Sequence, residues 1–201
     1  GIAQTGTGKT AAFTLPLVER LASGRARARM PRAIVLAPTR ELADQVAQQI
    51  ALYAKYTKLR STVVFGGMDM KPQTAELKAG VEVLIATPGR LLDHIEAKNC
   101  VLNQVEYVVL DEADQMLDMG FIQDIRKIMS MLPKERQTLL FSATFAPEIK
   151  RLAADFMKDP QTVEVARQNA TNEQVEQLVY SVDAGRKRYL LSHLIKQRDM
   201  S

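Results

Sequence analysis

Residues 3–10 read AQTGTGKT, and a helical pattern of apolar positions begins directly behind them, over residues 9–22. Gly6 and Gly8 free the backbone to curl its N–H groups around phosphate oxygens, and a helix starting at Lys9 aims its positive end at the same anion. Lys9 is suited to neutralising β- and γ-phosphates, and the Thr10 hydroxyl to holding Mg²⁺. The ending Gly8-Lys9-Thr10 matches a Walker A phosphate loop, although Ala3 stands where the general pattern has its first glycine. Thr5, Gly6, Thr7, Gly8, Lys9 and Thr10 are therefore the expected nucleotide cradle. The competing account is a chance glycine turn, and the helical patterning behind it argues against that.

Outward from this loop, short apolar runs alternate with helical patterns. Residues 33–37 (AIVLA), 61–65 (STVVF), 81–86 (VEVLIA), 105–110 (VEYVVL) and 137–142 (QTLLFS) read as strands. Most are too continuously apolar to keep one wet face, so burial on both sides is expected. Helices are expected over 41–56, 72–79, 90–97, 121–131 and 147–156. In the first of these Leu42, Val46, Ile50 and Tyr53 recur at helical spacing. Strand and helix in alternation predict an α/β domain, a mostly parallel central sheet with helices on both faces.

Residues 163–165 are expected to add one short strand. Residues 166–174 (ARQNATNEQ) are polar and aperiodic, which predicts a linker. An alternating segment at 175–182 and a basic helix over 185–197 follow. One strand and one helix cannot bury a core alone. Residues 1–165 therefore read as one domain and 175–201 as the beginning of a second. The first domain is expected to open just before its phosphate loop, which ordinarily follows a complete strand.

Composition excludes several classes. The 201 residues are 46% hydrophobic and 25% charged, a balance that disordered chains lack. No apolar run approaches the roughly 20 residues of a membrane span. Cys100 is the only cysteine, so no internal disulfide forms and a reducing, cytoplasmic compartment is expected. His94 and His193 lack the spacing of a zinc site. The formal charge of +4 suits a polyanionic partner, and Arg25, Arg27 and Arg29 cluster in what reads as a solvated loop tip.

The apolar run at 105–110 ends in Asp111-Glu112-Ala113-Asp114. An acid at the tip of an apolar strand is where a phosphate-loop enzyme places its second magnesium contact. Glu112 could then orient or deprotonate the attacking water. An acidic turn complementing a helix dipole is the alternative, weakened by the phosphate loop upstream. Catalytic duty is thus assigned to Lys9, Asp111 and Glu112, and metal binding to Thr10 and Asp111, with ATP and Mg²⁺ as cofactors.

Residues 111–114 spell the sequence that names the DEAD-box RNA helicases, and residues 3–10 resemble that family's phosphate loop, alanine included. Pro38-Thr39-Arg40-Glu41-Leu42-Ala43, Gly66-Gly67, Thr87-Pro88-Gly89-Arg90 and Ser142-Ala143-Thr144 complete six motifs in the family's order. Residues 63–67 and 116–121 look most like the bacterial RhlE subgroup. The resemblance implies a RecA-like ATP-binding domain of an RNA-stimulated ATPase that separates short duplexes or remodels RNA–protein complexes. An ATP-gated clamp on single-stranded RNA shares every motif; a DNA translocase or transporter ATPase fits residues 111–114 and 38–43 poorly.

By the same resemblance Pro38, Thr39, Arg40, Gly66, Gly67, Thr87, Gly89 and Arg90 line the RNA path. Their chemistry agrees: Thr39 and Thr87 can cap helix starts, Pro88 suits a first helical turn, and Arg40 and Arg90 suit phosphodiester oxygens. Binding without base readout follows. Ser142 and Thr144 resemble a relay between ATP site and domain closure, with Asp114 as the expected hydrogen-bond partner. The family's adenine-reading glutamine motif and second-domain arginines are not among these residues. An arginine finger is worth roughly 10³–10⁵ in rate, so weak turnover and a monomer are expected of this chain alone. Protein partners of the ribosomal or RNA-decay kind are also implied.

Overall fold

The structure, a computed structural model, describes residues 1, 8–23, 30–164 and 180–198. Thr5, Gly6 and Thr7, the arginines at 25, 27 and 29, and the expected linker lie outside the described residues. The chain divides into two compact units, Gly1–Gln168 and Asn169–Ser201.

In the first unit the strands are β1 (Ala33–Leu36), β2 (Ser61–Val64), β3 (Val83–Ala86), β4 (Tyr107–Leu110) and β5 (Gln137–Leu140). They form one sheet in the order β2-β3-β1-β4-β5, and every neighbouring pair is parallel. The helices are α1 (Lys9–Ala22), α2 (Arg40–Tyr53), α3 (Met70–Ala79), α4 (Pro88–Glu96), α5 (Ala113–Asp118), α6 (Ile122–Ser130) and α7 (Pro147–Phe156). This is the expected α/β architecture.

Side-chain alternation along each strand divides the core in two. Ala33 and Val35 of β1, Val83 and Ile85 of β3, and Val109 of β4 pack with Phe13, Leu17 and Leu21 of α1 and Val46 and Ile50 of α2. Ile34, Leu36, Leu84 and Val108 point the other way, against Leu77, Leu91, Met116, Ile125, Ile128, Ile149 and Leu152 of the remaining helices. Each buried Leu or Ile contributes roughly 1.5–3 kcal/mol, so these two layers carry the stability and free the sheet's end for chemistry. Full burial holds for the inner strands β1 and β3; β2 and β5 stay partly exposed among the described residues because each has a paired strand on only one side.

One helix is added and two local expectations are corrected. Residues 113–118 form the separate helix α5, too short for its periodicity to be read. Of residues 163–165, the exposed Val163 is in no strand and Glu164 makes a single isolated bridge, while residue 165 lies outside the described residues. In the second unit, residues 180–182 carry no strand; a 3-10 turn (Ala184–Arg186) leads into α8 (Lys187–Arg198), and 175–179 lie outside the described residues.

Because all five strands are parallel, their carboxyl ends share one edge. In open α/β sheets that edge is where ligands bind.

Candidate functional site

Two chain segments meet at this edge to make a charged cluster. Gly8 precedes α1 with φ of 80°, a left-handed conformation that a β-carbon would strain although nothing crowds the space around it. That turn delivers Lys9 as the first residue of α1, whose first turn holds no acid, leaving the helix's positive end uncompensated there. The second segment is the end of β4. Asp111 N donates to Leu36 O at 2.9 Å, which extends the ladder with β1 by one residue and fixes where the acids begin.

Lys9 Nζ lies 3.3 Å from Asp111 Oδ1 and donates to Glu112 Oε1. Lys9, Asp111 and Glu112 are 8%, 3% and 2% exposed, so one cation faces two anions largely out of water. Burial pushes the Asp111 carboxyl above its usual range; Lys9 counters this, and Glu112 adds to it. Glu112 also sits at φ 53°, ψ 50°, sparsely populated by non-glycine residues and costing about 1–3 kcal/mol. Its backbone N–H donates to Asp111 Oδ1 at 3.0 Å and Gln115 Nε2 donates to its Oε2 at 3.4 Å, which holds it there. Gln115 was not foreseen; its signal was the three-residue spacing from an acid at a helix start.

Backbone bonds carry this geometry sideways. Ala113 N donates to Phe141 O at 2.9 Å, and Ser142 N to Gly1 O at 3.2 Å, so the acids, the end of β5 and the residue ahead of the phosphate loop are neighbours. The expected hydrogen bond between Asp114 and Ser142 or Thr144 is not made among the described residues. Ser142 Oγ, fully buried, accepts from Thr144 N at 3.3 Å, and Asp114 Oδ1 is buried without a partner among the described residues. Asp114 and Thr144 do line one cavity, of about 580 Å³.

The expected RNA-facing residues gather at the ends of β1, β2 and β3. Thr39 caps α2, its hydroxyl accepting from Leu42 N at 3.3 Å. Thr87 holds the same position before α4, yet its side chain makes no cap bond, so the hydroxyl is left unused by the helix. Pro38 is buried, Arg40 exposed, and the Arg40 guanidinium stacks 5.0 Å from the Phe65 ring centroid. Gly66 and Gly67 are exposed, the latter at φ 78°, where only glycine is unstrained. Arg90 Nη1 donates to Met68 O at 2.9 Å and its Nε lies 3.3 Å from Asp93. Gly89 sits half-buried in the first turn of α4. Arg40 and Arg90 thus tie the first and third of these segments to the second.

Among the described residues no group of three or more histidine, cysteine or acidic side chains could hold a metal, and no helix is long and apolar enough to cross a membrane.

A family model, "DEAD/DEAH box helicase", matches residues 1–152. The chain is 43% identical over 199 residues to "ATP-dependent RNA helicase CshA" of Limosilactobacillus reuteri, covering 99% of this chain and 39% of the relative. It is 46% identical over 202 residues to "ATP-dependent RNA helicase RhlB" of Pseudomonas syringae pv. tomato, covering 97% and 51%. Among solved structures, the yeast DEAD-box splicing factor Prp28 is similar with a TM-score of 0.75 and 34% identity, over 83% of this chain and 42% of that one. The chain therefore spans about two-fifths to one half of these relatives' lengths.

Proposed function

The chain belongs to the DEAD/DEAH box helicase family, and from that premise we propose that it is the ATP-binding core of an RNA-stimulated ATPase that opens short RNA duplexes. One observation carries the reading: Lys9, from the end of the phosphate loop, and the acid pair at the tip of β4 occupy a single buried site.

In this reading Lys9 exchanges its carboxylate partners for the β- and γ-phosphates when ATP enters. Asp111 is released to serve a metal, and Glu112 orients or deprotonates the water. Thr10 and Asp111 offer the hard oxygen donors that suit Mg²⁺, which would supply charge neutralisation along the phosphates. Two adjacent carboxylates, too few for an all-protein cage, fit an ion that keeps water and phosphate among its ligands. Thr5, Gly6 and Thr7 complete the cradle.

Pro38, Thr39, Arg40, Gly66, Gly67, Thr87, Gly89 and Arg90 bind RNA through its backbone, so sequence preference is weak. Asp114, Ser142 and Thr144 couple the two ligands, with Asp114 gaining a partner only in a closed state. Residues 175–201 begin a second RecA-like domain. A cytoplasmic setting and an RhlE-like subgroup, the latter resting on residues 63–67 and 116–121, complete the proposal.

ATPase rates with and without RNA, in a chain extended to carry both domains, test it. Glu112→Gln should lower the RNA-stimulated rate about 10²–10⁴-fold while ATP still binds. An unchanged rate would remove Glu112 from the chemistry. Release of the displaced strand in the same preparation separates unwinding from clamping.

A further inference from the structure

The exposed turn through Gly66 and Gly67 needs something to hold it, because glycines confer freedom rather than order. One side chain does most of this. Gln73, on the first turns of α3, accepts at Oε1 from Phe65 N at 3.2 Å and donates from Nε2 to both Phe65 O and Asp69 O, each at 3.2 Å. The amide closes the turn at both ends, pairing with Phe65 as a neighbouring strand would. Arg90 adds the bond to Met68 O between those ends.

Gln73 is in turn held from α4. His94, wholly buried, sits with Nε2 at 3.3 Å from Gln73 Oε1 and Nδ1 at 3.3 Å from Asn99 Nδ2. Asn99 Nδ2 also donates to Thr74 Oγ1 at 3.1 Å, which closes the ring back onto α3. These partners assign the tautomer: Gln73 Oε1 is an acceptor, so Nε2 carries the proton, and Nδ1 accepts from the Asn99 amide. Burial, and secondarily the Arg90 charge, hold His94 below its ordinary pKa, in keeping with a neutral ring.

We propose that Gln73, locked by His94 and Asn99, is a positioning residue for RNA, fixing the Gly66–Gly67 turn to the start of α4 so that their phosphate-binding groups present one preformed surface. The inference rests on the reading that these two segments face RNA. It adds residues that touch no ligand and act only through the turn. A rigid receptor surface binds more tightly because less ordering is left for the moment of binding.

Gln73→Met keeps the volume and removes all of the amide's bonds. In the two-domain chain, the RNA concentration for half-maximal ATPase should rise about tenfold, while turnover at saturating RNA falls less than twofold. Amide exchange at Gly67 and Met68 should quicken by a similar factor, roughly tenfold, with the β1 and β3 amides unchanged. His94→Gln, which can still donate to Gln73, should hold RNA half-saturation within about threefold of the parent. Arg90→Ala serves as the control on the underlying reading. If Arg90→Ala weakens RNA and Gln73→Met does not, this inference fails alone; if neither does, the RNA assignment of both segments fails. Should Gln73→Met not fold, Gln73→Glu, which keeps the acceptor and loses the donor, must weaken RNA by the same measure, and parent-like half-saturation in that variant overturns the proposal.

Discussion

At the tip of β4, one buried ammonium faces two buried carboxylates, and one of those residues holds a left-handed backbone. At the end of β2, a buried imidazole and two amides satisfy one another with no net charge. Both lie on the carboxyl edge of one sheet, yet they solve opposite problems. The first cluster keeps an excess negative charge that only an incoming cation relieves, so it is built to be rearranged. The second has its polar groups matched in advance, so it is built to stay. A ligand that carries its own metal suits the former; a long polyanion that must find a ready surface suits the latter.

The widest separation between the two should appear in stability. Lys9→Ala leaves two neighbouring buried carboxylates without their cation and should cost about 3–5 kcal/mol in the nucleotide-free protein. Asp111→Asn does the reverse, leaving Lys9 and Glu112 as a matched pair, and should stabilise by about 1 kcal/mol. Urea unfolding at neutral pH measures both; equal signs would erase the distinction. The Asp111 comparison has a pH signature. Burial raises that carboxyl's native value above its unfolded one, so the fold takes up this proton first as pH falls. Its contribution to stability therefore grows through the native value and levels off below the ordinary carboxylate range. Asp111→Asn should flatten that part of the curve. Lys9→Ala is also an unsafe control for activity, because lost folding would imitate lost catalysis.

On the neutral side the same kind of deletion should be mild. Asn99→Ala removes donors to His94 Nδ1 and Thr74 Oγ1, both half-buried contacts, and should cost about 1–2 kcal/mol with no change in the pH profile. A loss as large as that of Lys9→Ala would show the network to be a folding element first.

These two regions were unequally legible. The charged cluster was visible because its chemistry demands rare residue types at fixed spacing, Gly8-Lys9-Thr10 and Asp111-Glu112, each beside an apolar run. The sheet was visible for a similar reason: strands buried on both faces, such as Val83–Ala86, must be continuously apolar. The neutral network left no such trace. Gln73 is an ordinary polar residue on a mostly exposed helix, and His94 reads as one polar position among many; only the fold brings them within 3.3 Å. The Asp114 hydrogen bond is not made in this structure: spacing reports which groups are near and not which bonds form. Thr144 N donates to Ser142 Oγ, only two residues away, at little cost in chain ordering.

The smallest effect isolates what the sequence could not reveal, the strained backbone at Glu112. Glu112→Gln and Glu112→Gly both remove the carboxylate charge, and both should abolish most turnover. They differ at φ 53°, which costs glycine nothing and costs glutamine as much as the native residue. Against this, glycine gains unfolded-state freedom and forfeits the side chain's burial. If strain is stored here, the two terms nearly offset and Glu112→Gly is within about 1 kcal/mol of Glu112→Gln in stability. A deficit of about 3 kcal/mol or more in the glycine variant would mean that the left-handed turn carries no strain worth relieving. The charge excess alone would then set this cluster apart from its neutral neighbour.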